Sequence, residues 1–402
     1  VLINKLAKDC LLTINGGSSS IKYALYEIKD TLNQLLSGEM EGIGSGDAKL
    51  NFIHLESSQS HQVNIPVADH IEAANWLINW LEKETEFIRV KAIGHRIVQG
   101  MEHTAPEKIT DRLLKELKDI SPYDPEHLPV EIELIEVFRK RYPDIHQVAC
   151  FDTSFHASMP DLAKLIPIPL KYRDKGVKRY GFHGLSYSYL VQEFERTAGA
   201  EKAKGKIIIA HLGSGASLAA VKNGKNVDTS MGFTPASGLT MSTRTGDFDP
   251  GVAWYLQKFE KLTPAQFNHL VNHESGLLAI SGTTANMQQL LQIQHDDKRA
   301  ALAVDFFCYQ CIKWIGAFTA VLGGLDSFIF SGGIGEHAPE IRERICSGLQ
   351  FLGIELDKNK NKNSDAVIST DASKVLVRVI KTNEELMIAR SVCTILNYNI
   401  KQ

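Results

Sequence analysis

The chain has 402 residues and a mass of 44.6 kDa, room for about two or three domains at roughly 100–200 residues each. With 44 basic and 47 acidic side chains the net charge is −3 and the pI near 6.6, which argues against a protein that lives on nucleic acid or an anionic membrane. A 44% hydrophobic and 23% charged composition excludes wholesale disorder, and no stretch approaches the ~18 consecutive apolar residues of a membrane span.

The start, Val1 to Cys10, has no initiator Met, no basic region and no small-residue cleavage site, so secretion is not expected. The six cysteines include one CxxC pair, Cys308 and Cys311, inside a helical pattern. No second Cys or His pair follows at zinc spacing, so core packing in a reducing cytoplasm is expected.

In chain order, apolar runs predict strands over Cys10–Asn15 and Ile21–Ile28, and 3.6-residue periodicity predicts a helix over Ala68–Glu84. A strand-like run ends at Arg96, a helix follows over Glu126–Tyr142, and a buried strand over Val148–Asp152. Then come a helix over Ser186–Thr197 and strands over Lys206–His211 and Ser217–Lys222, the last continuing through the hairpin dipeptide Asn223–Gly224. A long helix over Lys298–Leu322, a strand over Ser327–Ser331, and helices over Pro339–Leu349 and Asn383–Tyr398 complete the pattern. Strands alternating with helices indicate an α/β fold.

Two segments are alike. Residues 11–25 read LLTINGGSSSIKYAL and residues 207–221 read IIIAHLGSGASLAAV, each a strand, a Gly/Ser turn and a second strand. Their recurrence at a spacing of 196 points to duplication. The expected arrangement is one domain from 1–150 with the C-terminal helix 384–402 and a second from 151–383, two lobes with a nucleotide held in the cleft.

Several positions can carry chemistry. Asn15–Ser20 and His211–Ala216 are Gly/Ser turns whose amides and hydroxyls suit phosphate oxygens, although neither is a Walker or Rossmann motif. Ser331–His337 is a Gly-rich strand-to-helix turn with free amides at a positive dipole end. Arg96 and Arg244 offer rigid forks for carboxylate or phosphate, though most arginines simply face solvent. Asp152 ends a strand, where ligands collect in open α/β sheets, and Glu384 heads a helix, where an acid also serves the dipole. His183 lies in a tight Gly-flanked turn, a setting shared by structural histidines; Asp247 and Asp249 read as structural.

Taken in order, the runs NGGSSSIKY (Asn15–Tyr23), GHRIV (Gly94–Val98), FDTSFH (Phe151–His156), YGFHG (Tyr180–Gly184), His211–Ser217, MGFTP (Met231–Pro235), Thr243–Pro250, Gly332–Glu336 and TNEEL (Thr382–Leu386) resemble the acetate kinases and their short-chain acyl kinase relatives. The resemblance implies a duplicated actin-like (ribonuclease H-like) ATPase fold, a homodimer, and reversible phosphoryl transfer between ATP and acetate, giving acetyl phosphate and ADP with Mg2+, or Mn2+ in its place. By matching position, Asn15 and Glu384 would bind the metal and Lys22 would approach the phosphates. Arg96 would hold the substrate carboxylate, with Val98, Tyr123, Phe182 and Pro235 around the acyl group. Asp152, His183 and Arg244 would be catalytic. The nucleotide would meet His211, Leu212, Gly213, Ser214 and Gly215, then Asn286, Met287 and Gln288, then Gly333, Ile334, Gly335, Glu336 and His337.

The chain departs from the family pattern in places. Pro122-Tyr-Asp-Pro-Glu-His127 stands where Pro-Leu-His-Asn-Pro is usual, which puts Asp124 at the histidine position and Tyr123 at a pocket leucine. Gln99-Gly-Met101 replaces His-Gly-Gly, and Ser214 replaces an Asn. A propionate or butyrate kinase is the near alternative, because one methylene in an apolar pocket is worth only ~1–3 kcal/mol. An actin- or chaperone-like ATPase would hydrolyse ATP without acetate; a sugar kinase would need a base such as Asp152; an inactive scaffold fits poorly with the intact set Asn15, Arg96, Asp152, His183, Arg244 and Glu384.

Overall fold

The computed structural model describes residues 9–17, 19–55, 59–83 and 89–400. The sequence readings that touch residues 1–8, Ser18, Glu84 and 401–402 lie outside them.

In chain order the strands are β1 (Cys10–Gly16), β2 (Ser20–Ile28), β3 (Leu32–Glu41), β4 (Lys49–His54), β5 (Gln59–Asn64), β6 (Val90–Ile97), β7 (Glu107–Lys108), β8 (His146–Phe151), β9 (Lys206–Leu212), β10 (Ala216–Lys222), β11 (Lys225–Thr229), β12 (Ser327–Ser331) and β13 (Leu376–Val379). They form two sheets, ordered β5-β4-β3-β2-β1-β6-β8-β7 and β11-β10-β9-β12-β13. In the first, β1 pairs antiparallel with β2 and β2 with β3, while β1–β6 and β6–β8 are parallel. The second repeats this: β9–β10 and β10–β11 are antiparallel, β9–β12 and β12–β13 parallel. The duplicated α/β fold expected from the sequence is thus present, and β9 spans β1 displaced by the 196 residues of the sequence repeat.

The chain divides into one compact unit of residues 1–154 with 383–402 and a second of residues 155–382. In the first, β1 is buried along its whole length, as a central strand covered on both faces must be. The helix His70–Lys83 buries Ala73, Ala74, Leu77, Ile78 and Leu81 along one stripe, and the helix Leu128–Arg141 buries Leu128, Ile132, Leu134, Ile135 and Phe138. The helix Glu384–Leu396 lies against β1, β6 and β8. Gly94 on β6 permits that approach, since a Cβ there would stand 2.5 Å from Ile388 Cγ2.

In the second unit, the helix Lys298–Leu322 packs against β9 and β10. It is long and apolar enough by composition to cross a membrane, but its buried stripe of Val304, Phe307, Cys311, Ile315, Phe318 and Leu322 belongs to this core. Cys308 and Cys311 are buried on that stripe, as expected, and all six cysteines are free and buried.

Two local readings change. The predicted strand Val148–Asp152 ends at Phe151, and Asp152 opens a 3-10 turn, Asp152–Ser158. The helix after β12 begins at Gly332 rather than Pro339, as a short turn Gly332–His337 preceding the helix Pro339–Ser347. Asp249 caps the helix Pro250–Lys258 through Gly251 N, and Asp247 accepts from Gly238 N, the structural roles expected of both.

Candidate active site

In the first unit the site is built at the ends of parallel strands. Arg96, next to last on β6, sends Nε and Nη2 to Oδ2 of Asp152, just past β8, at 3.1 and 2.6 Å. Its Nη1 donates to Asn15 Oδ1 on β1 at 3.1 Å. The Asn15 amide donates in turn to Glu384 Oε2 (3.0 Å) and Glu385 Oε1 (3.3 Å) at the start of the helix Glu384–Leu396. The parallel pairing of β1, β6 and β8 gathers three of these stretches, and the helix Glu384–Leu396 packed on them brings the fourth.

Charge follows geometry. Burial opposes the Arg96 cation, but Asp152 and then Glu384 raise its pKa above the usual arginine value. Burial, then the neighbouring Glu384, raises the Glu385 carboxyl. Lys22, on β2, faces Glu39 on the neighbouring β3 at 3.7 Å; burial lowers its pKa, while Glu39, Glu385 and Glu384 more than restore it.

Val98 is buried just beyond the end of β6, and its amide donates to both oxygens of Glu131, each at 3.1 Å. Burial drives the Glu131 carboxyl well above the ordinary range. Tyr123 ends the 3-10 turn Ser121–Tyr123. Asp124 is 3% exposed; its Oδ1 meets His127 Nδ1 at 2.9 Å.

In the second unit the turn between β9 and β10 closes through a Gly213 N to Gly215 O bond of 3.0 Å, leaving Ser214 exposed. Gly332, at φ +75°, sits where a Cβ would come within 2.7 Å of the Leu212 carbonyl, so the turns after β9 and β12 are pressed together. His183 holds a left-handed conformation (φ 58°, ψ 24°), rare for a side-chain-bearing residue, at the N-terminus of the helix Gly184–Ala198. Its ring stacks on that of His211 at 4.4 Å between centroids. A Cβ on Gly215 would lie 3.2 Å from His183 Nε2 and 3.8 Å from Arg244 Nη1, so both side chains converge on this turn. Arg244 Nη1 also reaches the carbonyl of buried Pro235 at 3.5 Å. Phe182 is buried, and its carbonyl accepts from His156, whose pKa burial lowers to about 4.

The remaining expected nucleotide residues divide by environment. Gly333 and His337 are exposed and Ile334 half-exposed, while Gly335 and Glu336 are buried. The Glu336 carboxylate is taken by Gly332 N, Ser331 Oγ and Thr382 N, which makes it a brace of the turn. Asn286 caps the helix Met287–Ile293 through Gln289 N, Met287 is buried in that helix and Gln288 is exposed.

Comparison with known proteins accords with this arrangement: the Acetokinase family profile matches residues 10–390. The chain belongs to the acetokinase family. It is 43% identical over 391 residues to the acetate kinase of Thermoanaerobacterium thermosaccharolyticum, covering 94% of this chain and 97% of that relative. It is 40% identical to the propionate kinase of Citrobacter rodentium, covering 96% of each. Among solved structures, a propionate kinase from Francisella tularensis superposes with a TM-score of 0.88 at 34% identity, over 95% of this chain and 98% of that one. The Porphyromonas gingivalis acetate kinase follows with a TM-score of 0.85 at 34% identity, over 96% and 100%.

Membership in this family raises the question of a metal. No group of three or more His, Cys, Asp or Glu forms a cage among the described residues. Mg2+ needs only one or two carboxylates and keeps water or phosphate oxygens for the rest. The hard-oxygen donor present is Glu384, beside a second acid, Glu385, whose carboxyl resists ionisation. Asn15 turns its oxygen to Arg96 and its amide to the acids, so in this geometry it orients Glu384.

Sequence reasoning assigned no role to Glu385, Glu131, Ser217 or Tyr187. Glu385 stands in the TNEEL run, and Glu131 lies at helical spacing among buried residues of the helix Leu128–Arg141; both signals were in the sequence. Ser217 closes the run His211–Ser217 but a serine in a strand suggests no role, and a tyrosine in an amphipathic helix such as Tyr187 is ordinary.

Proposed function

We propose that this chain transfers the γ-phosphoryl group of ATP to acetate, reversibly, giving acetyl phosphate and ADP. The observation that carries this is the Arg96 fork, locked from both sides by Asp152 and Asn15 at the end of β6 beside the apolar Val98. A fixed guanidinium next to a small apolar surface suits a short carboxylate. Acetate is ionised at neutral pH, so it needs orientation and charge compensation rather than a base.

In this reading Arg96 holds the acceptor and Asp152 keeps the fork from turning. His183 and Arg244, converging on the Gly213–Gly215 turn, hold the transferring phosphoryl oxygens, where electrostatic stabilisation is the main catalytic resource. Backbone amides of the turns after β9 and β12 receive the other phosphates, with Lys22 adding charge. Mg2+, or Mn2+, at Glu384 would screen the phosphate negative charge. The nucleophile attacks directly, so no phosphorylated enzyme is formed.

Propionate is the second reading, because relatives named propionate kinase match nearly as well as those named acetate kinase. A homodimer is also proposed. Trp254, Tyr255 and Phe259 are more than half exposed on and just after the helix Pro250–Lys258, an aromatic surface of the kind a second copy covers. A cytoplasmic setting is also proposed, since the free thiols suit a reducing compartment. Hydroxylamine trapping of acyl phosphate with acetate, propionate and butyrate side by side tests the activity. ATP hydrolysis without acyl phosphate from any of them overturns it.

A further inference from the structure

The two stacked imidazoles near the Gly213–Gly215 turn are held alike. His183 Nδ1 lies 2.8 Å from Ser217 Oγ, and Ser217 Oγ lies 2.5 Å from the Tyr187 hydroxyl. His211 Nδ1 lies 2.8 Å from Ser186 Oγ, which lies 2.7 Å from Thr382 Oγ1. Ser186 and Tyr187 are neighbours on the helix Gly184–Ala198, and Ser217 faces His211 across the β9–β10 ladder. Both serines and Tyr187 are fully buried. The Nε2 edges of both rings face the turn: a Cβ on Gly215 would be 3.2 Å from His183 Nε2, and one on Gly213 4.0 Å from His211 Nε2.

A serine hydroxyl has one proton to give. Between a phenol and an aliphatic alcohol, the phenol is the stronger acid and the better donor. When Tyr187 donates to Ser217, the Ser217 proton is directed at His183 Nδ1, which must then be the unprotonated nitrogen. The remaining proton sits on Nε2. Stacking at 4.4 Å disfavours charge on both rings at once, since like charges that close repel each other.

We infer that Tyr187 and Ser217 are positioning residues that fix His183 as the neutral Nε2–H tautomer, so that it meets the transferring phosphoryl group as a ready-made hydrogen-bond donor. This rests on the reading of His183 given above. The function of the pair is to set where one proton resides before substrate arrives.

The test is 15N NMR of the full chain carrying 15N-histidine, near neutral pH, with His183→Gln to assign the resonances. A pyridine-like Nδ1 and a pyrrole-like, protonated Nε2 for His183 are expected. Ser217→Ala is expected to give a mixture of tautomers and to lower kcat about tenfold with KM values nearly unchanged. Ser217→Thr, which keeps the hydroxyl, is expected to restore both. A protonated Nδ1 in the wild type, or a tautomer unmoved in Ser217→Ala, overturns the inference. Where Ser217→Ala fails to fold, the wild-type spectrum, assigned through His183→Gln, still decides. Full activity in His183→Gln would overturn the catalytic reading of His183 while leaving the tautomer measurement intact.

Discussion

Arg96 rests on a single oxygen of Asp152: Nε at 3.1 Å and Nη2 at 2.6 Å both reach Oδ2, while Nη1 turns to Asn15. The acid is fully buried and the guanidinium mostly so, so the proposed carboxylate fork is also an ion pair the fold depends on.

Arg96→Ala is therefore expected to do two things. Acyl phosphate formation should fall by at least about 100-fold, the scale for losing one transition-state donor. Stability should fall by roughly 3–5 kcal/mol, because Asp152 is left as an uncompensated buried charge. Arg96→Lys should recover much of the stability and little of the activity, since an ammonium cannot reproduce the fork. Hydroxylamine assays and denaturant titrations, run in parallel, separate the two effects.

Glu131 should make the protein less stable as pH rises. Its carboxyl is held well above its usual value by burial, so in the window from the unfolded carboxyl value of roughly 4.3 up to the higher folded value, the folded state holds more protons than the unfolded one. Stability contributed at low pH is lost through that window. Glu131→Gln keeps an acceptor for Val98 N and removes the titration. Its melting temperature, relative to wild type, should rise between pH 4 and pH 7; a constant offset would contradict this.

Val98→Ala should shift acyl preference. The side chain is buried beside the carboxylate clamp, and removing two methyl groups opens space for a longer chain. The ratio of kcat/KM for propionate over acetate should rise about tenfold, within the ~1–3 kcal/mol that a methylene commands. An unchanged ratio would place the acyl chain elsewhere.

Gly332→Ala should weaken nucleotide binding more than acetate binding. At φ +75° a side chain costs roughly 1–2 kcal/mol, and its Cβ would press within 2.7 Å of the Leu212 carbonyl, forcing apart the turns after β9 and β12. The KM for ATP should rise several-fold with that for acetate little changed.

None of the six cysteines should react with a thiol reagent in the native protein near neutral pH, and all six should react in denaturant. Burial pushes the Cys308 thiol up to about 12, as it does Cys150, and raises Cys311 well above the usual thiol value.

Much of this was legible in sequence, and the limits have physical causes. β1, β9 and β12 are continuous apolar runs because both faces are covered, so they stand out; the helix Lys298–Leu322 is read to the residue because Asp297 caps it and Gly323 closes it. β5, exposed at every position, has no alternation to detect, and β3 buries only two residues. In the site, Arg96, Asp152 and Glu384 are recognisable by charge placed at element ends. Glu131 and Ser217 are not, because their meaning comes from a backbone amide and an imidazole reached only through the fold.

The first unit is completed by the helix Glu384–Leu396, packed where Gly94 leaves room for Ile388. Its chain is thus split by the whole of the second unit. During translation β1, β6 and β8 leave the ribosome with an uncovered face, and they keep it until more than 200 further residues have been made. The carboxylate of Glu384 arrives with the segment that covers them. A nascent chain interrupted anywhere before it exposes apolar sheet and lacks the acid beside Asn15, so the cover of the sheet and the proposed metal-binding carboxylate come in the same late stretch.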